Sequence, residues 1–390
     1  MTTGSRAVAL AAAVLALIQQ PGAAAGKTEN VIVVMTDGLR WQEVFTGADP
    51  MLLNKEHGGI PDPAVVRSAF WRETPEQRRA ALMPFLWGVV ARDGQIWGNP
   101  ANGSVARATN GLLFSYPGYS EALAGWPDPR IRDNDPFDNP NVTVLEWLNI
   151  QPELRGRVAA FASWGLFPYI LNQKRSGLYV NAGWQTHRQD EWSPVHAVVN
   201  QLAAEMAPTA QDWRFDALTF HAAQEYLRTH RPRVLFVCFD ETDDHAHEGR
   251  DDRVLYAARR VDGYVKRLWE TVESLPEYRG RTSLVLATDH GRGSTPSTWK
   301  DHGKGVSGAE GIWIAVMGPD TPALGERRRC APVTQGQIAA TIAALLGLDY
   351  GSFEPRAAPP LADAVPHARG VSSSRARGSR PVGRSALESP

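Results

Sequence analysis

A chain of 390 residues, 43% hydrophobic and 21% charged, has the composition of a folded globular protein and excludes disordered or collagen-like classes. Its length suffices for one large domain or two smaller ones with a real core. A formal net charge of -1 lacks the basic field that nucleic-acid or acidic-membrane binding needs, so a small-molecule substrate is the default.

Residues 1–25 read as an export signal: Arg6, an apolar stretch from Ala7 to Ile18, then Ala23, Ala24 and Ala25 before Gly26. The stretch of about 12 residues is short of the roughly 20 needed to span a bilayer, so cleavage after Ala25 is expected rather than anchoring. No later segment is long and apolar enough to span. Two cysteines, Cys238 and Cys330, make no disulfide scaffold, and no bridge between them is expected.

Asn30 to Met35 is a β-branched run ending at Thr36-Asp37-Gly38, the pattern of a buried strand that delivers a polar residue at its carboxyl end. A capping box at Thr74-Pro75 with Gln77 starts a helix. Further strand-like runs lie at Val158 to Ala162, Val234 to Phe239, Ser283 to Ala287 and Ile312 to Met317. Val254, Ala258, Val261, Val265, Leu268 and Val272 draw one apolar helical stripe, and another helix runs from about Gln335 to Leu346 before Gly347.

Strands alternating with helices predict an α/β fold: a largely parallel central sheet sandwiched by helices, binding ligands at the carboxyl ends of its strands. The Trp-, Pro- and Asn-rich stretch 126–215 is expected to form a cap or insertion over the sheet. Residues 26–354 are expected to make one domain and 355–390 a disordered tail.

Four clusters carry the candidate chemistry: Asp37; Ser115 in Phe114-Ser115-Tyr116-Pro117-Gly118-Tyr119; Asp243 with His247; and Asp289-His290 followed by His302. Carboxylates and imidazoles without thiolate suit zinc, with manganese as the alternative, in a hydrolytic site. Each residue has a blander reading: Asp37 as a helix cap, Ser115 as a loop serine, Asp289-His290 as a turn, His302 as a surface histidine. Glu241 with His245 repeats the i, i+4 spacing of Asp243 with His247 and stays open. Arg40, Lys174 and Arg175 are set aside as surface cations.

Asp37-Gly38, Ser115 ten residues before Gly125, Asp243-x-x-x-His247, Asp289-His290-Gly291 and His302-Gly303 stand in an order that resembles the alkaline phosphatase superfamily, closest to its type I phosphodiesterase/nucleotide pyrophosphatase branch. The likeness covers about residues 30 to 350. It implies two divalent metal ions, one held by Asp37, Ser115, Asp289 and His290, the other by Asp243, His247 and His302. Asn134 falls near where that branch supplies an amide to a phosphate oxygen.

The expected function is therefore a secreted, periplasmic two-metal hydrolase of phosphate mono- or diesters, with Ser115 as catalytic nucleophile and a phosphoserine intermediate. A sulfatase is the rival: Pro117 fits the C/S-x-P-x-R motif, but Tyr119 stands where the Arg belongs. A catalytically silent metal-binding module on the same fold is the second. Natural substrate and oligomeric state are left open.

Overall fold

The computed structural model describes residues 27–188, 193–207 and 212–365. The expected signal over residues 1–25, and the expected tail from 366 onward, lie outside the described residues.

Ten strands are described: β1 (Asn30–Thr36), β2 (Gln95–Trp97), β3 (Ala106–Arg107), β4 (Val158–Ala162), β5 (Tyr179–Ala182), β6 (Val234–Phe239), β7 (Thr282–Thr288), β8 (Ile314–Met317), β9 (Gly325–Glu326) and β10 (Val333–Thr334). Eight of them form one sheet in the order β5-β4-β6-β1-β7-β8-β2-β9, and β3 pairs with β10 apart from it. From β5 to β7 every pairing is parallel. β8 runs antiparallel to both β7 and β2, so the sheet is mixed, but β2 and its parallel neighbour β9 run with the five strands from β5 to β7, and β8 is the one reversed strand in a largely parallel sheet of the kind the sequence predicts.

The β7–β8 connection explains this reversal. An antiparallel neighbour needs no crossover helix, and residues 289–313 instead stay as an irregular loop.

Alternate residues of β1 feed the two layers. Val31, Val33 and Met35 pack into one core cluster, and Ile32 and Val34 into the other, the period-2 signature of a strand buried on both faces. The striped helix spans Asp251–Ser274 and buries Val254, Ala258, Val261, Val265, Leu268 and Val272. Thr74 and Gln77 form the expected capping box on the helix Pro75–Leu82. The late helix is Gln337–Leu345, with Gly347 in the left-handed region beyond it. Both cysteines are free. No helix among the described residues is long and apolar enough to cross a membrane.

Two expectations need correction. The stretch 126–215 is not a cap laid over the sheet, because it supplies β4 and β5 at one edge of it. Its Trp-, Pro- and Asn-rich parts are the connections between those strands. The tail does not begin at 355: Leu361, Ala364 and Val365 are buried, and the amide of Ala358 donates to the carbonyl of Gly125 at 2.8 Å. A few apolar side chains and backbone bonds suffice to order a segment with no periodicity.

Candidate active site

β1, β6 and β7 are adjacent and parallel, so the residues that follow them meet at one edge. Asp37 follows β1, the helix Glu241–His247 follows β6, and Asp289-His290 follow β7. The helix Ser115–Ala124 begins at the same place, with Ser115 as its first residue. Its entry is a strained turn in which Leu113 adopts φ 59°, a left-handed conformation uncommon for a non-glycine side chain.

Asp37, Asp289 and His290 are all buried, with ligand atoms within 4.8 Å of one another. His290 Nε2 lies 3.2 Å from Asp37 Oδ1 and 3.4 Å from Asp289 Oδ2, yet neither it nor Asp289 Oδ2 has a well-formed hydrogen bond. Two orphaned buried atoms pointing at a shared space are what a metal ion would satisfy. The other ring nitrogen is engaged: His290 Nδ1 is 2.9 Å from the carbonyl of Gly291, which presents Nε2 as the ligand atom. This donor set fits a divalent ion.

Asp243, His247 and His302 form a second group within the same 4.8 Å limit. Asp243 Oδ2 is 3.0 Å from His247 Nε2, and the Nε2 atoms of His247 and His302 are 3.0 Å apart. His302 Nδ1 contacts the carbonyl of Leu113 at 3.2 Å, which turns its Nε2 toward His247 and Asp243 as the ligand atom. Of the two carboxylate–imidazole pairs in this segment, only Asp243 with His247 enters the cluster. His245 instead contacts Glu248, and Glu241 pairs with Arg260.

Ser115 Oγ donates to Asp37 Oδ1 at 3.5 Å, which sets the hydroxyl against the first group. Asn134 is brought to the same helix end: its Oδ1 accepts from the amide of Tyr116 at 3.0 Å. The cations set aside are paired: Arg40 is buried against Glu43, Lys174 binds Asp138 and Arg175 binds Glu146.

Three site residues escaped the sequence reading. Tyr119 donates to Asp37 Oδ2 at 2.9 Å and receives the thiol of Cys238 at 3.1 Å. Its position four after Ser115, on one helical face, was the signal. Thr242 donates to the carbonyl of Asp37 at 2.5 Å. Arg292, 1% exposed, forms an ion pair with Asp243, and no spacing in the sequence announces it. Two glycines make room for the assembly. Gly38 has φ 56°, and a Cβ there would collide with Asp243 Oδ1 and Arg292. One at Gly118 would strike the backbone of Asp289.

The electrostatics follow from burial and crowding. Burial pushes the Asp37 carboxyl up, but His290 and Tyr119 together hold it below the usual range. Burial and then the charge of Asp37 push Asp289 well above it. Burial disfavours a charged His290, yet Asp289 and Asp37 raise it to about 9. His302 is driven to about 2 by burial, then by the positive charges of His290 and Arg292. The edge thus crowds three carboxylates together, with His290 and the guanidinium of Arg292 as the cations set against them.

A family model described as type I phosphodiesterase / nucleotide pyrophosphatase matches residues 59–313. No curated protein matches by sequence. Among solved structures, the chain is similar to the alkaline phosphatase PafA at 10% identity, covering 87% of this chain and 99% of that one with a TM-score of 0.55. It is also similar to the lipoteichoic acid synthase LtaP from Listeria monocytogenes, at 11% identity, 88% and 75% coverage and a TM-score of 0.52. The structure of Ps i-CgsB with k-i-k-neocarrahexaose is comparable, at 15% identity, 86% and 75% coverage and a TM-score of 0.53. At these identities the likeness shows the fold alone.

Proposed function

Because the chain belongs to the type I phosphodiesterase / nucleotide pyrophosphatase family, a hydrolase branch of the alkaline phosphatase superfamily, we propose that it is an exported two-metal hydrolase of small phosphate mono- or diesters that uses Ser115 as nucleophile. The observation that carries this reading is the convergence of two ligand groups, Asp37, Asp289, His290 and Asp243, His247, His302, beside a serine hydroxyl at a helix N-terminus.

Bound dications, with zinc the best match to the donor set, would supply the positive charge that stabilises a serine alkoxide and the transferring phosphoryl group. The chain's own residues do the rest. Asp37 accepts the hydrogen bond of Ser115 Oγ and thereby aims it. Attack by Oγ, its proton lost to solvent, forms a bond to phosphorus and breaks the ester bond, and the departing oxygen takes a proton from water to leave as the alcohol. Water then cleaves the phosphoserine, releasing phosphate or a monoester and restoring the hydroxyl. Asn134, whose amide oxygen is held by Tyr116, keeps its NH2 as a donor for a phosphate oxygen. The start of the helix Ser115–Ala124 favours the anion through its dipole.

The hydroxyl of Ser115 speaks for catalysis over a silent metal-binding module, since a weak serine ligand adds little to storage. Tyr119, bonded to Asp37 where a sulfatase would carry arginine, speaks for a serine that stays unmodified. Export and a periplasmic site rest on residues 1–25.

The test is Ser115→Ala assayed with p-nitrophenyl phosphate and bis(p-nitrophenyl) phosphate, with metal content measured in parallel. We expect unchanged metal content and hydrolysis reduced by about 10³-fold or more. Hydrolysis by the variant within about tenfold of wild type would exclude Ser115 as nucleophile, and a wild type inert to both esters would favour the silent module. Mass spectrometry of the Ser115 peptide should find serine, and formylglycine there would return the sulfatase.

A further inference from the structure

Arg292 is a buried cation at this edge that the proposed chemistry leaves without a task. It lies two residues after His290, inside the β7–β8 loop, and its guanidinium is buried. One of its nitrogens, Nη2, binds Asp243 twice, as an ion pair to Oδ1 and at 3.1 Å to the backbone carbonyl. Nη1 donates to the carbonyl of Lys300, two residues before His302. A single planar group therefore joins the helix that carries Asp243 and His247 to the loop that carries His302, and the chain itself ties it to His290.

The division of labour on Asp243 is specific. Oδ1 goes to Arg292, with His302 Nε2 farther off at 4.0 Å, while Oδ2 faces His247 at 3.0 Å. A carboxylate held by one oxygen offers the other in a fixed direction, and a guanidinium does this better than an ammonium because its fork reaches several acceptors in one plane. The lack of a side chain at Gly38 leaves the space that Arg292 and Asp243 Oδ1 occupy.

We infer that Arg292 is a positioning residue for the second metal group: it pins Asp243 by Oδ1 and the His302 loop by the Lys300 carbonyl, so that Asp243, His247 and His302 present one ligand atom each to the same ion. Its hydrogen bonds go to Asp243 and to the Lys300 carbonyl. The inference rests on the two-metal reading above and adds a residue to it.

The test measures metal binding, which needs no turnover. Metal-free wild type, Arg292→Met and Arg292→Lys are titrated with zinc against a competing chelator, with circular dichroism and thermal melts of the metal-free proteins as the check on folding. For wild type we expect two ions per chain. Arg292→Met should bind one ion as wild type does and the other about 10–100-fold more weakly, the loss typical of removing a group that orients a ligand. Arg292→Lys should fall between them, because one ammonium cannot hold Asp243 and Lys300 together. It carries the test if the Met variant does not fold.

Two ions bound by a folded variant with wild-type affinity would overturn the inference while leaving the two-metal reading intact. Tighter binding of the second ion would also overturn it, since the guanidinium would then be a competitor for Asp243. A wild type that takes up no divalent ion would overturn both.

Discussion

The two ligand groups differ in how the fold makes them. Asp37, Asp289 and His290 leave adjacent central strands, are 0–2% exposed, and are braced by Tyr119, by the amide of Gly38 at 3.0 Å and by the Gly291 carbonyl. Asp243, His247 and His302 come from a seven-residue helix and an irregular loop, and the His247 side chain is 52% exposed. The first group is set by sheet register, so its geometry is as rigid as the core. The second is set by side-chain contacts, and through His247 it is open to water and easier to disturb.

Removing a ligand from the buried group is the strongest way to break this contrast. Asp37→Asn touches Ser115, Tyr119 and His290 at once, so we expect hydrolysis to fall by about 10³-fold or more together with loss of the first ion, measured by steady-state kinetics and metal analysis. His247→Ala should be milder. Zinc affinity at the second group should drop by about 10–100-fold, while thermal stability of the metal-free protein stays within about 0.5 kcal/mol. A large loss of stability there would mean that the second group is as much a part of the core as the first.

The pH dependence of metal uptake should separate the groups. His290, raised to about 9 by Asp289 and Asp37 against the effect of burial, carries a proton at neutral pH in the metal-free protein, and an ion can bind Nε2 only after that proton leaves. Affinity at the first group should therefore rise with pH, by about tenfold per unit or more up to about pH 9. His302, at about 2, has no proton to displace between pH 5 and 9 and contributes no such slope. Calorimetric titrations in buffers of different ionisation enthalpy would count the protons released. Equal slopes for the two ions would contradict the assignment.

The smallest effect should come from Tyr119→Phe. One hydrogen bond to Asp37 is lost while the ring keeps its edge contact with Phe167, and activity should fall about two- to tenfold with both ions retained.

Much of this was legible in the chain because parallel strands impose an order. A β-branched run followed by Asp37, and another followed by Asp289-His290, announces polar residues at strand ends, and the i, i+4 spacing of Asp243 and His247 announces a shared helical face. The pairing of strands then brings them together without further instruction. Arg292 was not legible, because its partners are a carboxylate 49 residues away and two backbone carbonyls, and carbonyls leave no trace in a sequence. β5 was missed for a related reason: Tyr179-Val180-Asn181-Ala182 is too short to show a period, and its pairing with β4 decides its state. The antiparallel β8 was equally hidden, since direction depends on where the preceding loop ends.

The segment just before residue 366 has a practical consequence. The carbonyl of Gly125, at the end of the helix that Ser115 begins, receives Ala358, and Tyr350 donates to Ala124 at 3.3 Å and to Val142 at 2.8 Å. Arg356 stacks on Trp126 at 3.8 Å. Anyone trimming the gene at 355 to discard an apparently featureless end would keep Tyr350 but remove Ala358 and Arg356 from the far end of the rod whose tip carries the nucleophile, loosening it from more than 200 residues downstream.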